Sequence, residues 1–401
     1  PADIFRSVDT WTTGKPGKGE TVEEPKRSDL LDRLIGVLLC QSVDILDRRI
    51  GTPADLDLGC TLALGFKRGP LSLMAALGVD EAGRVLQRFA EERPGMPMPK
   101  ADLDSYCDFD RHVLVDDVDG VKVLTIRRPQ ALNALDDDVT DELLRAIRRH
   151  EADDAVRGFV IVGYGPKAFS AGADIGRFPE MLGDAEAATQ YARDCSRLLV
   201  HLDSMSKPVV AALNGMALGG GLELALRCHS VVATRHASLQ FPEVTLGIAP
   251  GIGGMVVPYR RWPEAAEAFH DMLLAGAKLA APRARELGVI DGLADGYAEL
   301  CELAIRRVGE LADQLHAASN EPVTIAEVCP ATEPKAGKLP LSREVVGIIA
   351  TTIAAAAAAP TLQEALEIGY AAFGKTACTG AAKEGIAAFG QRRKPDFTKT
   401  G

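Results

Sequence analysis

The chain has no excess of basic residues: 45 Lys and Arg stand against 56 Asp and Glu, for a formal charge of −11. Nucleic acid or an anionic membrane surface as the main partner would each require a dominant basic face, so both are excluded on charge. A small basic patch remains compatible with a phosphorylated ligand. Eight cysteines occur without one C-x-x-C pair, so neither a zinc site nor a disulfide frame is expected, and reduced thiols point to the cytosol. No charged-then-apolar leader opens the sequence. The longest apolar run, Val345 to Ala359, is largely alanine, is interrupted by threonines and is followed by Pro360, so it reads as a packed helix and not a membrane span. A G-x-S-x-G nucleophile elbow is absent, and none of the seven histidines, His229 and His236 included, shows metal-ligand spacing. No sequence repeat is visible. The chain begins with Pro1 and not methionine, as expected of a fragment or a processed product.

At 401 residues the length exceeds what one hydrophobic core usually serves, and two domains are expected. A polar lead-in over residues 1–27 gives way to a strand-free helical domain over 28–93. Ser28 or Asp29 is the expected cap of its first helix, in which Leu30, Leu31, Leu34, Ile35, Leu38, Ile45 and Leu46 form an apolar stripe. A second helix starts at Thr52-Pro53. The proline-rich Pro94-Gly95-Met96-Pro97-Met98-Pro99 opens a linker over 94–109. Beyond it the period changes. Val113–Val115 and Val121–Ile126 form an expected hairpin across Asp119-Gly120. Strands at Phe159–Val162, Pro208–Leu213 and Val231–Thr234 then alternate with helices, one running to about Leu202, which predicts α/β layering over 110–318. Residues 319–340 read as a loop and 341–401 as a helical C-terminal region.

Two glutamates carry most of the chemical signal. Glu223 follows the Gly219-Gly220-Gly221 run, and Glu243 stands shortly before Pro250-Gly251-Ile252-Gly253-Gly254. Two carboxyl groups sharing one substrate beside bare backbone N–H donors can move a proton next to a carbonyl. Glu223, hemmed by Leu222, Leu224, Ala225 and Leu226, is expected to be half-buried with a raised pKa. The glycine run lets the backbone approach a ligand at a helix N-terminus, although close helix packing explains such a run equally well. Ala168 to Ile175 is a second loop of small residues with accessible amides. Amides from the two loops together can grip one oxygen, each worth about 3 kcal/mol to a transition state. Gly163-Tyr164-Gly165-Pro166-Lys167-Ala168 formally fits a dinucleotide fingerprint, but Pro166 and the loop after it do not open a helix.

In order along the chain, Phe169 to Ile175, Asn214 to Leu224, Pro242-Glu243, Pro250 to Gly254 and the ending Glu384 to Phe389 with Arg393-Lys394-Pro395 resemble the signature segments of the crotonase, or enoyl-CoA hydratase/isomerase, superfamily. The resemblance implies a spiral of ββα units, trimers that pair into hexamers, and an acyl-CoA thioester held by the N–H groups of Ala173 and Gly220. It implies that Glu223 activates water, that Glu243 delivers a proton to Cα, and that Gly251 N–H places the water. Gln130, Ala131, Ala171, Asp174, Ile175, Phe389 and Lys394 are implied to bind coenzyme A. For Arg392, Arg393 and Lys394, phosphate contact and a solvated basic tail stand equally open.

Leu31-Asp32-Arg33-Leu34, Gly51 to Asp57, and Gly65 to Leu71 with Gly78-Val79-Asp80 resemble the helical C-terminal domain of 3-hydroxyacyl-CoA dehydrogenases, with Asp32 where that family has asparagine. The nucleotide-binding domain of those enzymes is missing, so no NAD is expected in this chain. It reads as the rear part of a dehydrogenase–hydratase fusion. Together the two resemblances imply a lyase of fatty acid β-oxidation that hydrates trans-2-enoyl-CoA without metal or redox cofactor and associates with a dehydrogenase domain or subunit. A double-bond isomerase, another crotonase-type enzyme and a non-catalytic CoA-binding assembly subunit are the alternatives.

Overall fold

Residues 23–311, 315 and 317–399 are described in the computed structural model; most of the expected lead-in, residues 1–22, lies outside them. The chain divides into two compact units, one ending at Arg111 and the other starting at His112.

Helices Lys26–Asp47, Pro53–Leu64, Pro70–Leu77, Val79–Glu92 and Leu103–Cys107 build the first unit. Thr52 caps the second of these by accepting from Asp55 N, with Pro53 at the first helical position. The first helix begins before the expected cap, directly after Pro25. Its buried face also differs from the leucine stripe: Asp32, Gly36, Leu39, Cys40 and Val43 face inward, while Leu30, Leu31 and Leu34 are exposed. Two features rotate the helix. Gly36 presses on the Phe89 ring, where a Cβ would lie 2.6 Å from Phe89 Cβ. Asp32 accepts from Arg84 at 2.8 and 3.0 Å and from Arg88 at 2.8 Å, which puts a carboxylate on the seam. The Arg84 hydrogen bonds, aided by Arg88 and opposed by burial, hold that carboxyl below the usual range. The expected linker folds back onto this unit. Tyr106 is buried and donates to Asp47 Oδ1 at 2.6 Å, with Met96, Leu103 and Phe109 packed on the same cluster.

In the second unit the strands of two sheets run β1 (Val113–Val118), β2 (Val121–Ile126), β3 (Gly158–Gly163), β4 (Ala168–Ser170), β5 (Val209–Leu213), β6 (Met216–Leu218), β7 (Ser230–Thr234), β8 (Ser238–Gln240), β9 (Lys278–Ala280) and β10 (Gly292–Ala294). The larger sheet has the order β1-β2-β3-β5-β7-β10 and the smaller one β4-β6-β8-β9. The β1–β2 hairpin is antiparallel and closes on Asp119 and Gly120, with φ of 52° and 78°, the geometry that suits the strand twist. From β2 to β10 the large sheet is parallel. Every residue of β3, β5 and β7 is buried, as a sheet covered on both faces requires.

Each of β3, β5 and β7 passes directly to a strand of the small sheet, and helical segments follow, so the chain winds as a crotonase-like spiral of ββα units. This repeat is one of pairing geometry, and the sequence carries no trace of it. Gly163 to Ala168 forms the β3–β4 turn and opens no helix.

The helix expected to reach Leu202 is instead a 3-10 segment, Ile175–Met181, followed by helices Ala185–Cys195 and Arg197–Asp203. The break falls at Ser196, whose hydroxyl donates back to Ala192 O at 2.8 Å. Strands β9 and β10 have three residues each, too few to show a period. The expected loop over 319–340 contains a short hairpin around Gly337, Lys335–Ala336 paired with Leu339–Pro340. Helices Arg343–Ala358, Leu362–Ala377 and Gly380–Gly390 complete the unit.

Candidate active site

Three chain turns at the ends of the small sheet bring the signalled residues together. The first follows β4. Asn133 and Asn214, both buried, donate to the same carbonyl, Ala168 O, at 2.9 and 3.0 Å, and thereby tie the β4 entry to the turns on either side. Leu135 N donates to Gly172 O at 2.8 Å, and Asp174 N donates to Leu135 O at 2.7 Å. Alternation along this bridge turns the N–H of Ala173 away from Leu135.

The Ala173 nitrogen lies close to the second loop. A Cβ built on Gly220 would lie 3.4 Å from Ala173 N. Gly220 is the second residue of the Gly219–Arg227 helix, where an N–H has no partner within the helix. The three glycines have different causes. Gly219 takes a φ of 46°, and a Cβ there would run into Glu243 Oε1; Gly220 faces Ala173; a Cβ on Gly221 would lie 2.5 Å from Ser170 Cβ. Ligand approach and close packing, the two readings the sequence left open, thus fall on neighbouring residues.

Glu223 projects from the second turn of that helix and is 4% exposed, more deeply buried than the half-burial expected. Its Oε1 accepts from Ile252 N at 2.9 Å and Gly254 N at 2.7 Å, so the Pro250–Gly254 loop acts as an amide cradle for it. Glu243 opens the 3-10 turn Glu243–Leu246. Its Oε2 is buried with no hydrogen-bond partner.

This difference separates the two acids. Burial pushes Glu223 up to about 7, against the pull of the Gly254 and Ile252 amides and of the Arg227 guanidinium. Burial, reinforced by the Glu223 charge, pushes Glu243 up to about 8. One carboxyl is equipped to stay ionised and the other to keep its proton, and the two titrate as a pair.

A single cavity of about 490 Å³ is lined by Ala173, Gly220, Glu223, Glu243 and Gly251, together with Ala171, Ile175 and Phe389. Phe178, Leu199, Leu246 and Phe373 make much of its remaining wall apolar. Gln130, Ala131, Asp174 and Lys394 are outside this lining. Gln130 and Ala131 belong to the 3-10 turn Pro129–Ala131, joined to the cavity loop through Ala171 N donating to Leu132 O at 3.0 Å. The Asp174 carboxylate is already engaged, accepting from Gly176 N at 3.2 Å and from Arg128 at 3.1 Å. Lys394 is exposed on the C-terminal tail, where its neighbour Arg393 pairs with Glu384 at 2.8 Å.

Sequence reasoning missed Arg227 and its partner Asp203, which lie behind Glu223, and the Tyr191–Cys195 hydrogen-bonded pair on the cavity wall. A basic residue four positions after a helical glutamate was the available signal for Arg227. Among the described residues no group of three or more His, Cys, Asp or Glu could hold a metal ion, and no helix is long and apolar enough to cross a membrane.

Residues 116–328 match the family described as enoyl-CoA hydratase/isomerase. The chain belongs to that family. Residues 30–112 match the 3-hydroxyacyl-CoA dehydrogenase C-terminal domain, so a dehydrogenase-like domain precedes the hydratase/isomerase domain in one chain. A probable enoyl-CoA hydratase of Bacillus subtilis is 33% identical over 277 residues, covering 69% of this chain and 95% of that protein. A fatty acid oxidation complex subunit alpha of Idiomarina loihiensis is 38% identical over 177 residues, which is 43% of this chain and 24% of that larger protein. The fold is shared with an enoyl-CoA hydratase structure from Rhodobacter sphaeroides, with a TM-score of 0.57 and 22% identity, over 72% of this chain and 92% of that one.

Proposed function

We propose that this enzyme of the enoyl-CoA hydratase/isomerase family is a hydro-lyase that adds water across trans-2-enoyl-CoA to give the 3-hydroxyacyl-CoA. The observation that carries this reading is one cavity holding two inequivalent buried carboxyls beside the Ala173 and Gly220 amides. Glu223, ionised in its amide cradle, takes a proton from water as the oxygen attacks Cβ. Negative charge then collects on the thioester oxygen, where the two N–H groups stabilise it. Glu243 gives its proton to Cα, completing the addition of one water. Gly251, on the cavity wall next to the cradle, offers its N–H to place that water.

Addition of water to a double bond is redox-neutral, so the reading requires no NAD, and the two carboxyls and two amides supply the proton transfer and charge stabilisation for which a metal would otherwise be needed. Coenzyme A is proposed to lie along Ala171, Asp174 and Ile175, toward Phe389 and the tail bearing Lys394, with Ala171 and the Gln130–Ala131 turn at the adenine end. Trimeric or hexameric assembly, association with a dehydrogenase and residence in a reducing cytosol belong to the same proposal. The eight free thiols support the last of these. Separate incubation with a 2-enoyl-CoA and a 3-enoyl-CoA tests the reaction. Hydration removes the conjugated thioester absorbance from the first, whereas an isomerase would create that absorbance from the second. Turnover of the second alone would overturn the hydratase reading.

A further inference from the structure

Arg227 lies one helical turn beyond Glu223 and is 4% exposed, an unusual place for a guanidinium. Asp203, at the end of the Arg197–Asp203 helix, accepts from its Nε at 2.9 Å and also from its Nη2. The remaining nitrogen, Nη1, is buried without a hydrogen-bond partner. That nitrogen is aimed at the amide cradle: a Cβ built on Gly253 would lie 3.1 Å from it. Gly253 joins Ile252 and Gly254, the two residues whose N–H groups hold Glu223 Oε1. The Asp203 side chain is 22% exposed against 1% for Arg227, so water screens the anion more than the cation. The other titratable groups facing this cluster are Glu243, across the cavity, Tyr370, a phenol that burial keeps neutral, and the buried guanidinium of Arg261, which interacts with Asp203.

We propose that Arg227, clamped by Asp203, is a positioning residue that keeps Glu223 ionised and holds the 252–254 cradle in register. A salt bridge serving only the fold would stabilise the protein without touching the titration of Glu223. The kinetic readout rests on the hydratase reading; the titration readout does not.

The test is the pH profile of kcat/KM on a 2-enoyl-CoA for Arg227→Met and Asp203→Asn, paired with a carbon-13 NMR titration of the Glu223 carboxyl in a Glu243→Gln background. Loss of a nearby opposite charge moves a carboxyl by about 1 pH unit or more. Arg227→Met is therefore expected to move the acid limb up by about 1 unit, losing roughly tenfold in rate on that limb and narrowing the profile against the alkaline limb set by Glu243. Asp203→Asn leaves the cation less compensated and is expected to move the limb down. Arg227→Lys, which keeps the charge and loses the fork, should fall between the parent and Arg227→Met. If Arg227→Met fails to fold, the opposite displacement in Asp203→Asn and the intermediate position of Arg227→Lys carry the test. An unmoved acid limb and an unmoved NMR titration in the folded variants would overturn the proposal, whatever happened to overall activity. No turnover by the parent, combined with a shifted NMR titration, would sink the hydratase reading and leave the role of Arg227 standing.

Discussion

Gly219→Ala separates the chemistry of the site from the stability of the fold. Gly219 sits at a φ of 46°, and the added methyl would occupy the position of Glu243 Oε1 while meeting no other group as closely. Left-handed backbone costs an L-residue about 1–2 kcal/mol. Spread over a unit of this size, that amounts to a fall in Tm of roughly 2–8 °C. The steric conflict is with the end of a side chain, so the backbone stays and the carboxyl retreats by about 1 Å, a displacement that can cost about 10²-fold in rate. The expected result is a kcat reduced about 100-fold, read from loss of the conjugated thioester absorbance, beside a thermal transition only a few degrees lower. Full kcat in the variant would show that Glu243 is not the proton donor poised at Cα. A collapse of Tm by tens of degrees would show that the glycine serves the fold and would remove the basis of the calculation.

Glu223→Gln and Glu243→Gln should each lower kcat by about two to four orders of magnitude, as for any general acid or base, and the double variant should be little worse than either single one. Burial raises both carboxyls well above the ordinary carboxylate range, so activity should peak near neutral to mildly alkaline pH, falling at lower pH as Glu223 gains a proton and at higher pH as Glu243 loses its own. A profile flat across this range would contradict the acid–base assignment. Stability moves in the opposite sense to that of an ordinary salt-bridged acid. A carboxyl raised on folding holds an extra proton in the folded state, so its contribution is full below the usual carboxylate range and is lost as pH rises through about 8. Glu243→Gln should therefore melt above the parent at alkaline pH and lose that advantage in acid, as scanning calorimetry at several pH values would show. Asp32, whose carboxyl is held low by Arg84 and then Arg88, has the reverse dependence. Its contribution is present above the ordinary carboxylate pKa and fades as pH falls, and Asp32→Asn should flatten that dependence in the transition of the first unit. Asn214→Ala leaves Gly163 N unpartnered in a buried turn and removes one of the two donors to Ala168 O, a loss of about 1–3 kcal/mol measurable by urea unfolding.

The sequence by itself determined which kinds of group this protein could use and where the chain had to turn. Asp119-Gly120 required a tight hairpin, Gly219 to Gly221 required a bare helix entry, and the character of both local features follows from the residues that form them. Even so, the leucine stripe of the first helix misled, because Gly36 beside Phe89 and Asp32 beside two arginines set which face packs. Only the tertiary structure decided that Glu223 and Glu243 differ. One lies against two amides and a guanidinium and the other against no donor at Oε2, and those neighbours come from segments up to 31 residues away in the chain. The pKa of a buried carboxyl is a property of what surrounds it in space, and that surrounding is assembled by the winding of one strand pair onto the next, which no local pattern of residues records.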